Sequence, residues 1–103
     1  MSEVELLAER LGRELLNRGE SLATAESCTG GWAAQAVTAI AGSSLWFDRG
    51  FVTYSNEAKV EMLGVAANTL ERHGAVSEAT ARAMAQGALK HSRATWALAI
   101  TGI

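Results

Sequence analysis

The segment Ser21–Trp32, "SLATAESCTGGW", places a short apolar run directly before a cluster of small polar residues and two glycines. Residues 21–26 have the length and apolar content of a short buried strand, and over Trp32–Ile40 the apolar residues recur at helical spacing. The cluster "SCTGG" (27–31) therefore leaves a strand and opens a helix. Ligands of open parallel sheets bind at such strand ends, so this segment indicates both a fold class and the place of a site.

The rest of the chain continues this alternation of helices and strands. Glu3–Arg18 carries an apolar stripe typical of an amphipathic helix, with Gly19 as its stop. Downstream, the pattern predicts a strand over Leu45–Tyr54 bent at Gly50 and a helix over Glu57–Leu63 capped by Ser55 or Asn56. It then predicts a shorter turn or helix around Asn68–His73, a longer helix after Ser77 and a strand over Thr95–Ile100. The short, nearly continuous apolar strands favour an α/β sandwich with a largely parallel sheet buried on both faces.

Composition narrows the class of protein. The chain has 103 residues, 49% of them hydrophobic, and a formal net charge of -2, which suits one domain over residues 1–103 with its own core. No run of lysines or arginines indicates a nucleic-acid or membrane partner. Cys28 is the single cysteine, so no internal disulfide forms, and the N-terminus lacks the apolar centre of a signal peptide. These features predict a cytoplasmic protein, and a small phosphate-bearing ligand stays possible because backbone amides bind anions.

Small polar residues follow all three predicted strands. Ser27–Gly31 follow the first strand, and the other members are Tyr54, Ser55, Asn56 and Lys59 after the second and Thr101 and Gly102 after the third. Because the carboxyl ends of parallel strands meet at one edge of a sheet, we expect these residues to converge there.

Each of the main candidates has two interpretations. Ser27 and Thr29 either cap the helix that starts near Gly30, or they supply a nucleophile beside backbone amides that are free for an anion. Lys59 is either a solvated lysine or a desolvated base beside the Ser27 hydroxyl. Tyr54 either orients that lysine or packs its ring on the strand.

The remaining candidates carry weaker signals. Cys28 is either a nucleophile or a small buried hydrophobe. The three tryptophans are expected in the core or in subunit contacts, with Trp32 and Trp46 as a possible wall for an aromatic ligand. His73 and His91 are expected at the surface. No metal-ligand spacing or dinucleotide glycine pattern occurs.

Four segments in chain order carry a family signature: "TAESCTGGWAAQAVTAIAGSS", "FDRGFVTYSNEAKVEMLGV", "HGAVSEATARAMAQGAL" and "ALAITGI". Together they resemble the C-terminal domain of the competence/damage-inducible protein CinA, and they cover nearly the whole chain. The resemblance implies a three-layer α/β/α sandwich, an oligomer and no metal or organic cofactor. Stand-alone members of the family hydrolyse the carboxamide of nicotinamide mononucleotide to nicotinate mononucleotide and ammonia, in pyridine nucleotide recycling.

The resemblance also assigns residues. It implies Ser27 as the catalytic serine, with Tyr54 and Lys59 as its partners. We expect Cys28, Thr29, Gly30, Gly31, Asn56, Thr101 and Gly102 to contribute to the substrate or oxyanion site. A non-catalytic nucleotide- or phosphate-binding module is the alternative function for the same helix start.

The family pattern extends beyond the last residue of this sequence. Members continue after the "TGI" motif with a loop that contains glycine and proline, then a further strand and helix, whereas this sequence ends at Ile103. The expectation is that part of the sheet and of the substrate site lies outside it. A third strand without a covering element would expose an apolar edge, which predicts a homo-oligomer.

Overall fold

The computed structural model describes residues 2–102. Met1 and Ile103, the last residue of the "TGI" motif, lie outside the described residues. The helices are α1 (Glu3–Arg18), α2 (Trp32–Thr38), α3 (Asn56–Leu63), α4 (Ala67–His73) and α5 (Glu78–Lys90). The strands are β1 (Leu22–Glu26), β2 (Phe47–Val52) and β3 (Trp96–Ile100). In the described part of the chain, no helix has both the length and the apolar character that crossing a membrane requires.

The three strands form one parallel sheet, as the sequence predicts, and the structure gives their order as β2-β1-β3. Every residue of the central strand β1 is buried. Its alternate side chains face opposite helical layers. Ala23 and Ala25 pack in a cluster with Met84 of α5, whereas Leu22 packs in a second cluster with residues of α1 and α2. The fold is therefore an α/β sandwich with β1 in its middle layer.

The second strand differs from its prediction at both ends. Ser43–Leu45 forms a turn of 3₁₀ helix, so β2 begins at Phe47 rather than Leu45. The strand ends at Val52 rather than Tyr54. The irregularity expected at Gly50 lies instead at Asp48, because Leu22 pairs with Phe47 while Ala23 pairs with Arg49. A β-bulge of this kind inserts one extra residue and bends the strand locally.

Helix boundaries largely follow the local signals. Gly19 and Gly64 end α1 and α3 in the left-handed conformation, and the hydroxyls of Ser55 and Ser77 cap α3 and α5. The second helix ends at Thr38, two residues earlier than predicted.

The third strand is better covered than expected. Ala97 and Ala99 pack against the cluster that contains Met84 and Ala88 of α5, so α5 covers one face of β3. The other face borders an apolar cavity of about 320 Å³, whose lining includes Leu11 of α1 and Leu98 of β3. The expectation that β3 lacks any covering element is therefore wrong for one of its faces.

Gly87 lets α5 cross α3 at close range, and its replacement by alanine tests that contact. A Cβ atom at Gly87 would lie 2.0 Å from the carbonyl oxygen of Leu63, at the end of the helix that carries Lys59. In an ordinary helix interior, glycine to alanine stabilises by roughly 0.5–1 kcal/mol. Here we expect Gly87→Ala to lower the free energy of unfolding by about 1–3 kcal/mol, because the helices must separate.

Chemical denaturation followed by circular dichroism measures this effect. Gln86→Ala, at an exposed position of the same helix, serves as the control and should change the free energy of unfolding little. A Gly87→Ala protein as stable as the unmodified chain would contradict the close crossing of α3 and α5.

Candidate active site

Lys59 and Ser27 lie side by side at the carboxyl edge of the sheet. Lys59 belongs to the second turn of α3 and is only 1% exposed. Its Nζ lies 3.1 Å from the Ser27 Oγ, 3.0 Å from the Thr53 carbonyl oxygen and 3.1 Å from the Tyr54 carbonyl oxygen. The structure thus brings together the lysine and serine that the sequence placed at neighbouring strand ends, and the alternative of a solvated lysine is wrong.

The surroundings of Lys59 favour its neutral amine. Burial lowers the pKa of Lys59 below its ordinary value. Within residues 2–102 its polar contacts are a hydroxyl and backbone carbonyls, with no carboxylate to stabilise an ammonium. In the structure Nζ donates to the Ser27 Oγ, and the Ser27 hydroxyl donates to the Tyr54 carbonyl oxygen. A neutral amine has two N–H donors and one lone pair, so it can accept from Ser27 once that hydroxyl turns toward Nζ. The arrangement suits a base.

Ser27 is held by both neighbouring strands. Its backbone amide donates to the carbonyl oxygen of Ile100, the last residue of β3, at 2.8 Å. Its hydroxyl lies 3.3 Å from the Tyr54 carbonyl oxygen, just beyond β2. Ser27 is buried with the strand, so its hydroxyl has a fixed position relative to Lys59.

Tyr54 contributes its backbone and not its side chain. The carbonyl oxygen contacts both Ser27 and Lys59, whereas the residue is 74% exposed. No hydrogen bond of the phenol occurs among the described residues, and its exposure contradicts the expectation that the ring packs on the strand. The contact with Lys59 comes from the backbone of Tyr54, and a role of the phenol toward a reacting group stays a prediction. Asn56, the first residue of α3, is exposed as well, and Ser55 is the residue that caps the helix.

Glu26 occupies the start of α2, which corrects the predicted capping. The residue before the helix is Gly31, and it provides no side-chain cap. The Glu26 carboxylate instead accepts hydrogen bonds from the amides of Ala33 at 2.8 Å and Ala34 at 3.0 Å, and from the Thr29 hydroxyl at 2.6 Å. The start of α2 was expected to be free to bind an anion, but its amides already bind the carboxylate of Glu26.

The charge of Glu26 is stabilised locally despite its burial. Burial raises the pKa of the carboxyl, and the hydrogen bonds from Thr29, Ala33, Ala34 and Gly31 lower it by more, so the pKa lies below its ordinary value. Glu26 was not among the site residues predicted from the sequence. Its signal was an acidic side chain at the end of an apolar strand, where a carboxylate remains only if donors surround it.

Two backbone amides beside Ser27 remain available to a ligand. The amide of Gly30 donates to the Ser27 carbonyl oxygen at 3.0 Å. In the range 2–102, the amides of Cys28 and Thr29 have no such partner. The thiol of Cys28 is exposed, so the interpretation as a buried hydrophobe is wrong.

Thr101 and Gly102, the two residues that follow β3, lie near this site. The Thr101 hydroxyl donates to the Ala75 carbonyl oxygen at 2.6 Å, and Gly102 adjoins Val76. Thr101 and Gly102 line a cavity of about 360 Å³ together with Ser77 at the start of α5. A bond from either residue to Ser27 or Lys59 is absent from the part of the chain that the structure describes.

The aromatic and histidine predictions have mixed outcomes. Trp46 is buried in the cluster with α1 and α2, whereas Trp32 and Trp96 are about half exposed. The prediction of a core tryptophan therefore holds for Trp46 alone. His73 and His91 are exposed, as predicted.

Comparisons with known proteins agree on one family. Residues 4–103 match the family model described as "CinA C-terminal domain". The Escherichia coli (strain K12) protein "Nicotinamide-nucleotide amidohydrolase PncC" is 59% identical over 102 residues, which are 99% of this chain and 62% of that protein. A "putative competence-damage inducible protein" of Symbiobacterium thermophilum is 56% identical over 99% of this chain and 24% of its own length.

A solved structure gives the same result. The crystal structure of the competence/damage inducible protein CihA from Agrobacterium tumefaciens matches with a TM-score of 0.96 and 54% identity, and it covers 100% of this chain and 62% of that chain. The present chain thus spans 62% of the length of the amidohydrolase and of the crystallised relative that it matches.

Proposed function

Since this chain belongs to the family of CinA C-terminal domains, we propose that it carries the serine–lysine site of an amidohydrolase that acts on nicotinamide mononucleotide. The reaction consumes water and yields nicotinate mononucleotide and ammonia. The observation that carries the proposal is the 3.1 Å contact between the Ser27 hydroxyl and the buried Lys59 amine. The name of the 59% identical relative supports the substrate class.

The first half of the mechanism forms an acyl-enzyme. Neutral Lys59 takes the proton of Ser27 as the Oγ attacks the carboxamide carbon. The amides of Cys28 and Thr29 stabilise the negative oxygen that develops, as backbone donors do in oxyanion holes. The ammonium of Lys59 then returns its proton to the nitrogen of the substrate, and the C–N bond breaks to release ammonia.

The second half regenerates the serine. Water attacks the ester carbon while Lys59 accepts its proton, and the Ser27 oxygen leaves with that proton. Tyr54 holds the lysine in both halves, through its carbonyl oxygen. Proton relay by its phenol, and substrate contacts by Gly30, Gly31, Asn56, Thr101 and Gly102, stay predictions.

Incubating the protein with nicotinamide mononucleotide and assaying ammonia tests the proposal. Ammonia and nicotinate mononucleotide in equal amounts are the expected result. Binding without ammonia would support the alternative of a nucleotide-binding module. The carboxylate of Glu26 at the start of α2 weighs against that alternative, because it fills the position expected for a bound phosphate.

A homo-oligomer is part of the proposal. β3 is an edge strand of the described sheet, and Trp96 at its start is about half exposed. Apolar surface next to an unpaired strand edge favours association of subunits.

A further inference from the structure

Glu26 directly precedes Ser27 in sequence, and its carboxylate accepts hydrogen bonds from Ala33 and Ala34, which lie beyond the loop 27–31. We infer that Glu26 is a positioning residue, whose carboxylate fixes the loop 27–31 in the shape that presents the Ser27 hydroxyl to Lys59. This inference rests on the proposed function for its catalytic consequence. Its structural part is independent of the reaction.

The geometry makes Glu26 a clamp on the loop. One carboxylate oxygen accepts from the Thr29 hydroxyl at 2.6 Å and the Ala33 amide at 2.8 Å, and the other accepts from the Ala34 amide at 3.0 Å. The chain leaves Glu26 and passes through the loop into α2, and the same carboxylate binds both parts. Because Glu26 ends β1 and is 1% exposed, the clamp is anchored in the centre of the sheet.

The loop needs such a clamp because its own backbone is permissive. Gly30 and Gly31 have φ values of 62° and 107°, which glycine adopts readily but does not hold by itself. A short polar cap would satisfy amides at the start of α2, so capping alone does not explain a buried carboxylate. A carboxylate accepts from three donors at once and survives burial only while those donors are in place.

The clamp also decides which amides serve the reaction. With the Ala33 and Ala34 amides bound to Glu26, the amides of Cys28 and Thr29 are those left beside Ser27. The same carboxylate repels a second anion at the start of α2.

Glu26→Gln tests the inference with nearly unchanged side-chain volume. The amide oxygen of glutamine can still accept, but in either orientation of the amide its NH₂ group faces the backbone N–H of Ala33 or Ala34 and cannot bond to it. We expect kcat for ammonia release to fall by at least about 10-fold, with KM for nicotinamide mononucleotide changed less than about 2-fold, because orientation of the nucleophile is lost and binding is kept. Glu71→Gln, at an exposed glutamate of α4, is the control and should leave both constants unchanged.

Amide hydrogen exchange measures how firmly Glu26 holds the Ala33 and Ala34 amides, and this measurement does not depend on catalysis. In Glu26→Gln, exchange at Ala33 and Ala34 should accelerate by at least about 10-fold relative to the unmodified chain, with α5 unchanged. If Glu26→Gln does not fold, Thr29→Val removes one donor to the carboxylate and should produce the same local changes to a smaller degree.

The outcomes separate the two claims. Local acceleration of exchange with an unchanged kcat, or a change spread uniformly over the chain, would overturn the positioning role. If the unmodified chain releases no ammonia, the proposed function fails, and exchange at Ala33 and Ala34 still decides whether Glu26 holds the loop.

Discussion

Ser27→Ala should reduce ammonia release from nicotinamide mononucleotide by at least about 1,000-fold, since the variant lacks the attacking oxygen. The methyl side chain of alanine fits the same buried position, so the fold should persist. Binding of the nucleotide should also persist, because the amides of Cys28 and Thr29 belong to the backbone. Ammonia release and calorimetric binding, measured on one preparation, check both parts of this expectation.

Ser44→Ala is the matched control for this variant. Ser44 is an exposed serine before β2, and its replacement should leave turnover unchanged. Appreciable turnover by Ser27→Ala would refute the assignment of the nucleophile. It would transfer that role to the exposed thiol of Cys28 or to a directly activated water.

Lys59→Arg and Lys59→Met should each lose at least about 1,000-fold in turnover, for different reasons. A guanidinium stays protonated at any pH at which the protein is folded, so it cannot accept the proton of Ser27. A methionine has similar length and no basic atom. The same substitutions at Lys90, the second lysine, which is exposed at the end of α5, are the matched control. An active Lys59→Arg protein would show that the residue supplies positive charge and not a base.

Lys59 should also make the free energy of unfolding depend on pH, in a way that Lys59→Met lacks. Between the lowered pKa of folded Lys59 and the value of about 10.4 in an unfolded chain, the unfolded state binds a proton that the folded state has released. The contribution of Lys59 to the free energy of unfolding therefore increases as pH rises through this window. Lys59→Met lacks this contribution, so the difference between the two proteins in denaturant titrations should follow pH. A constant difference would contradict the lowered pKa.

Much of the fold follows from local sequence signals. The apolar run before "SCTGG" predicts β1, the caps Ser55 and Ser77 predict the starts of α3 and α5, and parallel pairing follows from the alternation of elements. Parallel strand ends meet at one edge, which is why Lys59 could be placed near Ser27 from the sequence.

The details that escaped prediction depend on tertiary contacts. Glu26 was missed because only the folded loop brings the Thr29 hydroxyl and two helix amides around one carboxylate. Tyr54 was expected to orient Lys59 or to pack its ring, whereas its backbone position just beyond β2 directs the carbonyl oxygen to the site and leaves the side chain exposed. The bulge at Asp48 depends on register with β1, which composition does not encode locally.

In the proposed mechanism the buried amine beside Ser27 is neutral when it acts, and a pH titration of the lysine ¹³Cε resonances measures the protonation of that amine. The chain has two lysines, Lys59 and Lys90, and Lys90→Arg removes one resonance and so assigns the other to Lys59. Because burial lowers the pKa of Lys59, its resonance should titrate below about 10.4, the ordinary value for a lysine. A midpoint at or above that value would contradict a neutral amine.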